Sequence, residues 1–200
     1  MVLVTRQAPD FTASAVLGNG EIVDNFNFKQ HVAGKAAVVF FYPLDFTFVC
    51  PSELIAFDHR YAEFQKRGVE VVGVSIDSEF THNAWRNTST ENGGIGQVQY
   101  ALVGDVKHSI AQAYGIEHPE AGVALRASFL IDKNGVVRHQ VVNDLPLGRN
   151  IDEMLRMVDA LQFHEEHGEV CPAQWEKGKE GMKDNPEGVA KYLKQHADKL

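Results

Sequence analysis

A chain of 200 residues is long enough to bury a sizeable core and fits one main domain comfortably. Its 44% hydrophobic and 23% charged residues are those of an ordinary globular protein, which excludes a disordered or membrane-spanning chain. A net charge of −8 weighs against nonspecific nucleic-acid binding, which needs a basic surface. The start, Met1-Val2-Leu3-Val4-Thr5-Arg6, lacks the basic region and long apolar core of a signal peptide, so a cytosolic location is expected. Only two cysteines occur, Cys50 and Cys171, and in a cytosolic protein such a pair points to redox activity before structural stapling.

In chain order, Asn19-Gly20 between short apolar stretches predicts a leading β-hairpin, and Phe26 to Lys35 reads as an irregular connection. Ala36 to Tyr42 is an unbroken apolar run, the pattern of a strand buried on both faces. Leu54, Phe57, Tyr61 and Phe64 then recur at helical steps, predicting one helix from Pro51 to Arg67 with Gly68 as its stop. Val69 to Ile76 is a second buried strand, and Asp77-Ser78 caps a helix running through Trp85. Glu91 to Gly96 breaks the pattern and lacks the spacing of a phosphate loop. Ala101 to Val103 predicts a short strand, Asp105 a cap, and Val106 to Tyr114 a helix closed by Gly115. Asn134-Gly135 joins two apolar runs, Leu125 to Asp132 and Val136 to Val142, as a hairpin. Asn150-x-x-Glu153 has the form of a capping box ahead of a helix through Leu161. Such alternation predicts an α/β domain with a mixed central sheet. Beyond Gly168, glycines, prolines and charges predict an extension lying over something else, with a last short helix from Val189 to His196.

The chemistry concentrates in Pro43-Leu-Asp-Phe-Thr-Phe-Val-Cys50, between a buried strand and a helix start. An ordinary free thiol is only a few per cent thiolate at pH 7, the thiolate is the nucleophile, and a helix N-terminus favours the anion. Thr47 offers a hydroxyl to the sulfur or to a substrate oxygen, while Pro43 brings no donor and can shield the sulfur from water. The plain alternative is a buried core thiol, which the flanking prolines, the threonine and the helix start outweigh.

Pro43-x-x-x-Thr47-x-x-Cys50 resembles the peroxidatic motif of the peroxiredoxins. The longer Phe-Tyr-Pro-Leu-Asp-Phe-Thr-Phe-Val-Cys-Pro-Ser-Glu resembles the typical two-cysteine subfamily, the alkyl hydroperoxide reductase and thiol-specific antioxidant proteins. His-Gly-Glu-Val-Cys171-Pro is similar to that subfamily's resolving-cysteine segment. The resemblance implies a thioredoxin-like fold over residues 1–165 and a C-terminal extension, residues 166–200, carrying the resolving cysteine. It implies that Cys50 reduces hydrogen peroxide and organic hydroperoxides without cofactor or metal. Arg126 would stabilise thiolate and peroxide, with Glu53 and Arg149 in support, although the plain alternative is a surface ion pair for Arg126 and a solvated-charge role for Glu53 and Arg149. The sulfenic acid would condense with Cys171 of the partner subunit in a homodimer, five of which assemble into a decamer. Thioredoxin, or a flavoprotein disulfide reductase as runner-up, would reduce the disulfide. Gly93-Gly94-Ile95-Gly96 resembles the glycine loop of oxidation-sensitive members, with Ile95 replacing Leu, whereas the tail reads Tyr192-Leu193 in place of Tyr-Phe. Intermediate hyperoxidation follows.

Three competing readings are weaker. His164-x-x-His167-x-x-x-Cys171 supplies three zinc-type ligands but no fourth. A holdase acting alone leaves the Pro-Thr-Cys-Arg set unexplained. A thioredoxin-like reductase needs a second cysteine near Cys50, where Val49, Pro51 and Glu53 stand instead.

Overall fold

The computed structural model describes residues 1–200, the side chain of Lys199 excepted. The chain divides into two compact units, Met1–Ile151 and Asp152–Leu200. In the first, β1 (Thr12–Val16) and β2 (Ile22–Asn27) form the hairpin expected around Asn19-Gly20. The connection expected to be irregular holds a helical turn, α1 (Phe28–His31), because the Asn27 side chain accepts from the Gln30 N–H at 2.8 Å. β3 (Ala36–Phe41) leads into the Cys50 loop.

The single helix expected from Pro51 to Arg67 is two, α2 (Cys50–His59) and α3 (Tyr61–Lys66). At Arg60 the backbone leaves helical geometry (φ −105°, ψ 1°) and its N–H bonds three residues back, to the Phe57 carbonyl at 3.1 Å. β4 (Val69–Ser75) and α4 (Glu79–Arg86) follow, with the Ser78 hydroxyl accepting from the Thr81 N–H. β5 (Ala101–Gly104) precedes α5 (Ser109–Tyr114), which is shorter than expected. Asp105 does cap it, accepting from the N–H groups of Ile110 and Ala111 at 3.0 and 2.8 Å. His108, at φ +59°, keeps Val106 to His108 outside the helix. β6 (Arg126–Ile131) and β7 (Val137–Asn143) make the second hairpin.

The seven strands form one mixed sheet in the order β2-β1-β5-β4-β3-β6-β7. β3 pairs parallel with β4 and antiparallel with β6, and β4 pairs parallel with β5. Val38 to Tyr42 are fully buried, each contributing about 1.5–3 kcal/mol of apolar burial. Phe41 packs with Tyr114 and Phe129 on one face of the sheet, and Phe40 stacks on Phe57 at 4.1 Å on the other. Gly73 of β4 makes the second contact fit, since a Cβ there would lie 2.8 Å from the Phe40 ring. This is the thioredoxin-like arrangement that the resemblance implies. Strand β3, paired on both sides, delivers the chain to Pro43.

The second unit contains most of α6 (Ile151–His167), which runs past the Leu161 limit read from sequence, and α7 (Pro186–His196). α7 starts earlier than expected because Asn185 caps it, accepting from the Gly188 N–H at 2.7 Å. Val170 and Met182 pair antiparallel between the helices. The units divide at residue 151, before the 165/166 boundary that the resemblance implies. α6 groups with the segment after it because Phe163 packs on Trp175 and Arg156 bonds the Trp175 carbonyl.

Candidate active site

Cys50 is the first residue of α2, with Pro51 behind it in the first turn and its side chain fully buried. The Thr47 hydroxyl lies 2.8 Å from the Leu44 carbonyl and 3.1 Å from Cys50 Sγ. A carbonyl can only accept, so the Thr47 proton goes to Leu44 while Cys50 is a thiol that donates to Thr47 Oγ1. Once sulfur loses its proton, the hydroxyl can rotate and donate to it. Pro43 is buried just beyond β3, whereas Phe46 and Phe48 flank Thr47 from the surface, Phe48 at 96% exposure. Phe46 adopts φ +53°, a strained value for an aromatic residue, so the loop is held by its surroundings.

Arg126, at the start of β6, points Nη1 at Cys50 Sγ (3.3 Å) and at Glu53 Oε2 (2.9 Å), while its Nε donates to the Leu145 carbonyl. Arg149 grips Glu53 with Nε to Oε1 at 2.8 Å, Nη2 to Oε2 at 2.9 Å and its backbone N–H at 2.9 Å. It also donates to Ala127 and Ser128 of β6 and stands 5.5 Å from the Phe40 ring centroid. All three charged side chains are at least 95% buried. Burial alone pushes the Glu53 carboxyl up, but the Arg149 hydrogen bonds and charge, with Arg126 beside it, hold it below its ordinary 4.5. Two cations therefore face one carboxylate. The Cys50 sulfur lies against the Arg126 guanidinium.

A second buried polar network was missed by sequence reading. His82 of α4 meets Asp45 Oδ2 at 2.7 Å and the Val103 carbonyl at 3.1 Å, and Tyr42 donates to Asp45 Oδ1 at 2.8 Å. The Asp45 N–H donates to Asp77, which also accepts from Ser75. Burial lowers the His82 pKa, but the Asp45 hydrogen bond and charge more than reverse this and hold it above its ordinary value. The signal was a carboxylate at Asp45 between the apolar Leu44 and Phe46.

The glycine loop closes on α4. Trp85 Nε1 donates to the Gly93 carbonyl at 2.9 Å, Gly94 and Gly96 bond the carbonyls of Ser89 and Thr88, and Ile95 is buried. A Cβ at Gly94 would sit 2.0 Å from the Thr88 carbonyl, so no other residue fits without a shift. Trp85 also packs 5.8 Å from Phe46, linking this loop to the Cys50 loop.

In the second unit, Cys171 Sγ donates to the Ala160 carbonyl at 3.4 Å. Burial pushes this thiol up, against the opposing charge of Arg156. Tyr192 packs on His196 within α7, and Leu193 is exposed. His164 Nδ1 contacts the Glu169 carbonyl, and among the described residues no group of three His, Cys, Asp or Glu side chains is arranged to hold a metal ion.

Residues 4–140 match the AhpC/TSA family, and residues 160–195 match the C-terminal domain of 1-Cys peroxiredoxin. Alkyl hydroperoxide reductase C of Buchnera aphidicola subsp. Schizaphis graminum is 59% identical, covering 98% of this chain and 99% of its own. The Helicobacter pylori (strain ATCC 700392 / 26695) protein of that name is 58% identical over the whole of both chains. The reduced 2-Cys peroxiredoxin of Plasmodium vivax superposes with a TM-score of 0.93 at 47% identity, covering 97% of this chain and 100% of that one.

Proposed function

Because this chain belongs to the AhpC/TSA family and is a peroxiredoxin, a thiol-dependent peroxidase, we propose that Cys50 is its peroxidatic cysteine and Cys171 its resolving cysteine. The observation that carries the reading is Cys50 Sγ held between the Thr47 hydroxyl and the Arg126 guanidinium. The thiolate attacks one oxygen of the peroxide, the O–O bond breaks, and sulfur becomes a sulfenic acid. Negative charge builds on the leaving oxygen, which departs as water or an alcohol after taking a proton. Arg126 and Thr47 stabilise it where Pro43 and burial keep water out. Glu53 and Arg149 are positioning residues: they hold Arg126 in its rotamer and bind α2 to β6.

The sulfenic acid then condenses with Cys171 of a partner subunit, releasing water, and thioredoxin or a flavoprotein disulfide reductase restores both thiols. Two surfaces support a homodimer and its assembly into a decamer. β7 is an edge strand of the sheet, and Val142 is exposed on it. Phe46, Phe80 and Val106 form further exposed apolar surface. A cytoplasmic location fits two free thiols, and among the described residues no helix is long and apolar enough to cross a membrane.

Peroxide consumption with thioredoxin, thioredoxin reductase and NADPH, repeated with a flavoprotein reductase, tests these assignments. Cys50→Ser should be inactive, and Cys171→Ser should react once without turning over. Full activity in Cys50→Ser would overturn the reading.

A further inference from the structure

The reading of Cys171 as the resolving thiol leaves open what governs its release to the sulfenic acid, and the inference drawn from the second unit rests on that reading. Cys171 is followed by a turn in which the Trp175 N–H donates to the Pro172 carbonyl at 3.1 Å. The third residue of this turn, Gln174, has φ +59°. Turns with positive φ at that place favour glycine, and an exposed glutamine held there is strained. Opposing the strain, Arg156 of α6 donates through Nη1 to the Trp175 carbonyl at 2.7 Å. Glu153 fixes that guanidinium from the other side, at 2.6 Å to Nε and 2.7 Å to Nη2. The Trp175 ring is buried, packs 5.0 Å from Phe163, and donates to the Lys179 carbonyl. So long as this latch is closed, the Cys171 thiol stays bonded to the Ala160 carbonyl.

We infer that Arg156 and Gln174 are positioning residues for disulfide formation, acting in opposite directions: Arg156 latches the Cys171 turn shut and the strain at Gln174 promotes its opening. The step they gate is balanced without another reactant. The Cys171 sulfur attacks the sulfenic sulfur, an S–S bond forms as the S–O bond breaks, and the hydroxyl leaves as water with the Cys171 proton. Neither residue touches the reacting peroxide. Their effect should therefore fall on the second step, with sulfenic acid formation as internal reference.

The test is a single turnover with one equivalent of hydrogen peroxide, quenched by alkylation, with sulfenic acid and the Cys50–Cys171 disulfide quantified over time in the full-length protein. Gln174→Gly relieves the strain and should slow disulfide formation about fivefold. Gln174→Ala keeps the positive φ without relief and should match the parent. Arg156→Gln opens the latch and should speed the step by about fivefold. Sulfenic acid formation should be unchanged in all three. A merely structural role would shift the variants in one direction, so opposite signs are the signature. Parent-like rates in Gln174→Gly, equal slowing in Gln174→Ala, or slowing in Arg156→Gln would overturn the latch while leaving Cys171 as resolver. Absence of any Cys50–Cys171 disulfide in the parent would sink both.

Discussion

The two cysteines occupy opposite kinds of surroundings. Cys50 sits at a helix start where three charged side chains, each more than 90% buried, are fixed by eight hydrogen bonds. Cys171 is half-buried, donates one long hydrogen bond to a helix carbonyl, and belongs to a turn held by Arg156 and the buried Trp175 ring against its own backbone strain. The difference follows from the two tasks proposed for them. A nucleophile must meet its substrate in an environment organised beforehand, because reorganisation during reaction adds to the barrier. A resolving thiol must leave its resting place. Strong fixation there would leave the sulfenic acid waiting and open to further oxidation.

Removing the preorganised cation should break this contrast most severely. Arg126→Gln keeps a donor near Cys50 but removes the charge that faces the sulfur. The rate of sulfenic acid formation should fall about 10²- to 10³-fold, read by stopped-flow with limiting peroxide. A fall below threefold would mean that Arg126 holds Glu53 and contributes little to the chemistry.

Glu53→Gln comes next, with an expected loss of about 3 kcal/mol in unfolding free energy, because it leaves two buried guanidiniums without a carboxylate. The sign of its pH dependence is fixed by the depressed carboxyl. In the parent, the Glu53 contribution is present above the unfolded value near 4.5 and is lost as pH falls through the lower folded value. Denaturant titrations of parent and variant should therefore converge as the pH is lowered below about 4.5. A constant gap down to pH 3 would show that the cost is one of packing.

Much of this site was legible because its signals are local. The apolar run before Pro43, Pro51 behind Cys50 and the spacing of Leu54 and Phe57 fix a strand, a loop and a helix start without tertiary information. The break at Arg60 was not legible, since Leu54, Phe57, Tyr61 and Phe64 keep their period across it. α1 is one turn long and shows no period at all. Arg126 and Arg149 could be assigned only through the family resemblance, because their partner Glu53 lies 73 and 96 positions away. The Tyr42–Asp45–His82 network joins residues up to 40 apart and gave no motif. Long-range polar contacts are set by the sheet order, which single-sequence periodicity does not encode.

That network provides the next test. Asp45→Asn removes the charge opposite His82 while keeping the shape, and His82, raised by Asp45, should return toward or below its ordinary value. A folded pKa above the unfolded one stabilises the protein below pH 6.5 and ceases to do so as pH rises through the folded value. The destabilisation in Asp45→Asn, about 2 kcal/mol, should therefore be largest near pH 6 and shrink toward pH 9. Equal loss at both pH values would assign Asp45 a neutral hydrogen-bonding role.

The smallest expected effect lies in the second unit and sharpens the contrast from its yielding side. Asn185 caps α7, and Asn185→Ala leaves the Gly188 N–H without that acceptor, a loss of about 1 kcal/mol. Amide exchange over residues 186–189 should accelerate about fivefold, since a helix end opens locally without the rest of the chain. The rate of sulfenic acid formation at Cys50 should not move, because the hydrogen bonds that fix Thr47, Cys50, Glu53, Arg126 and Arg149 join residues before 152. If it slows as much as amide exchange quickens, the nucleophile is not organised independently of the C-terminal helix, and the division of labour between the two cysteines fails at its foundation.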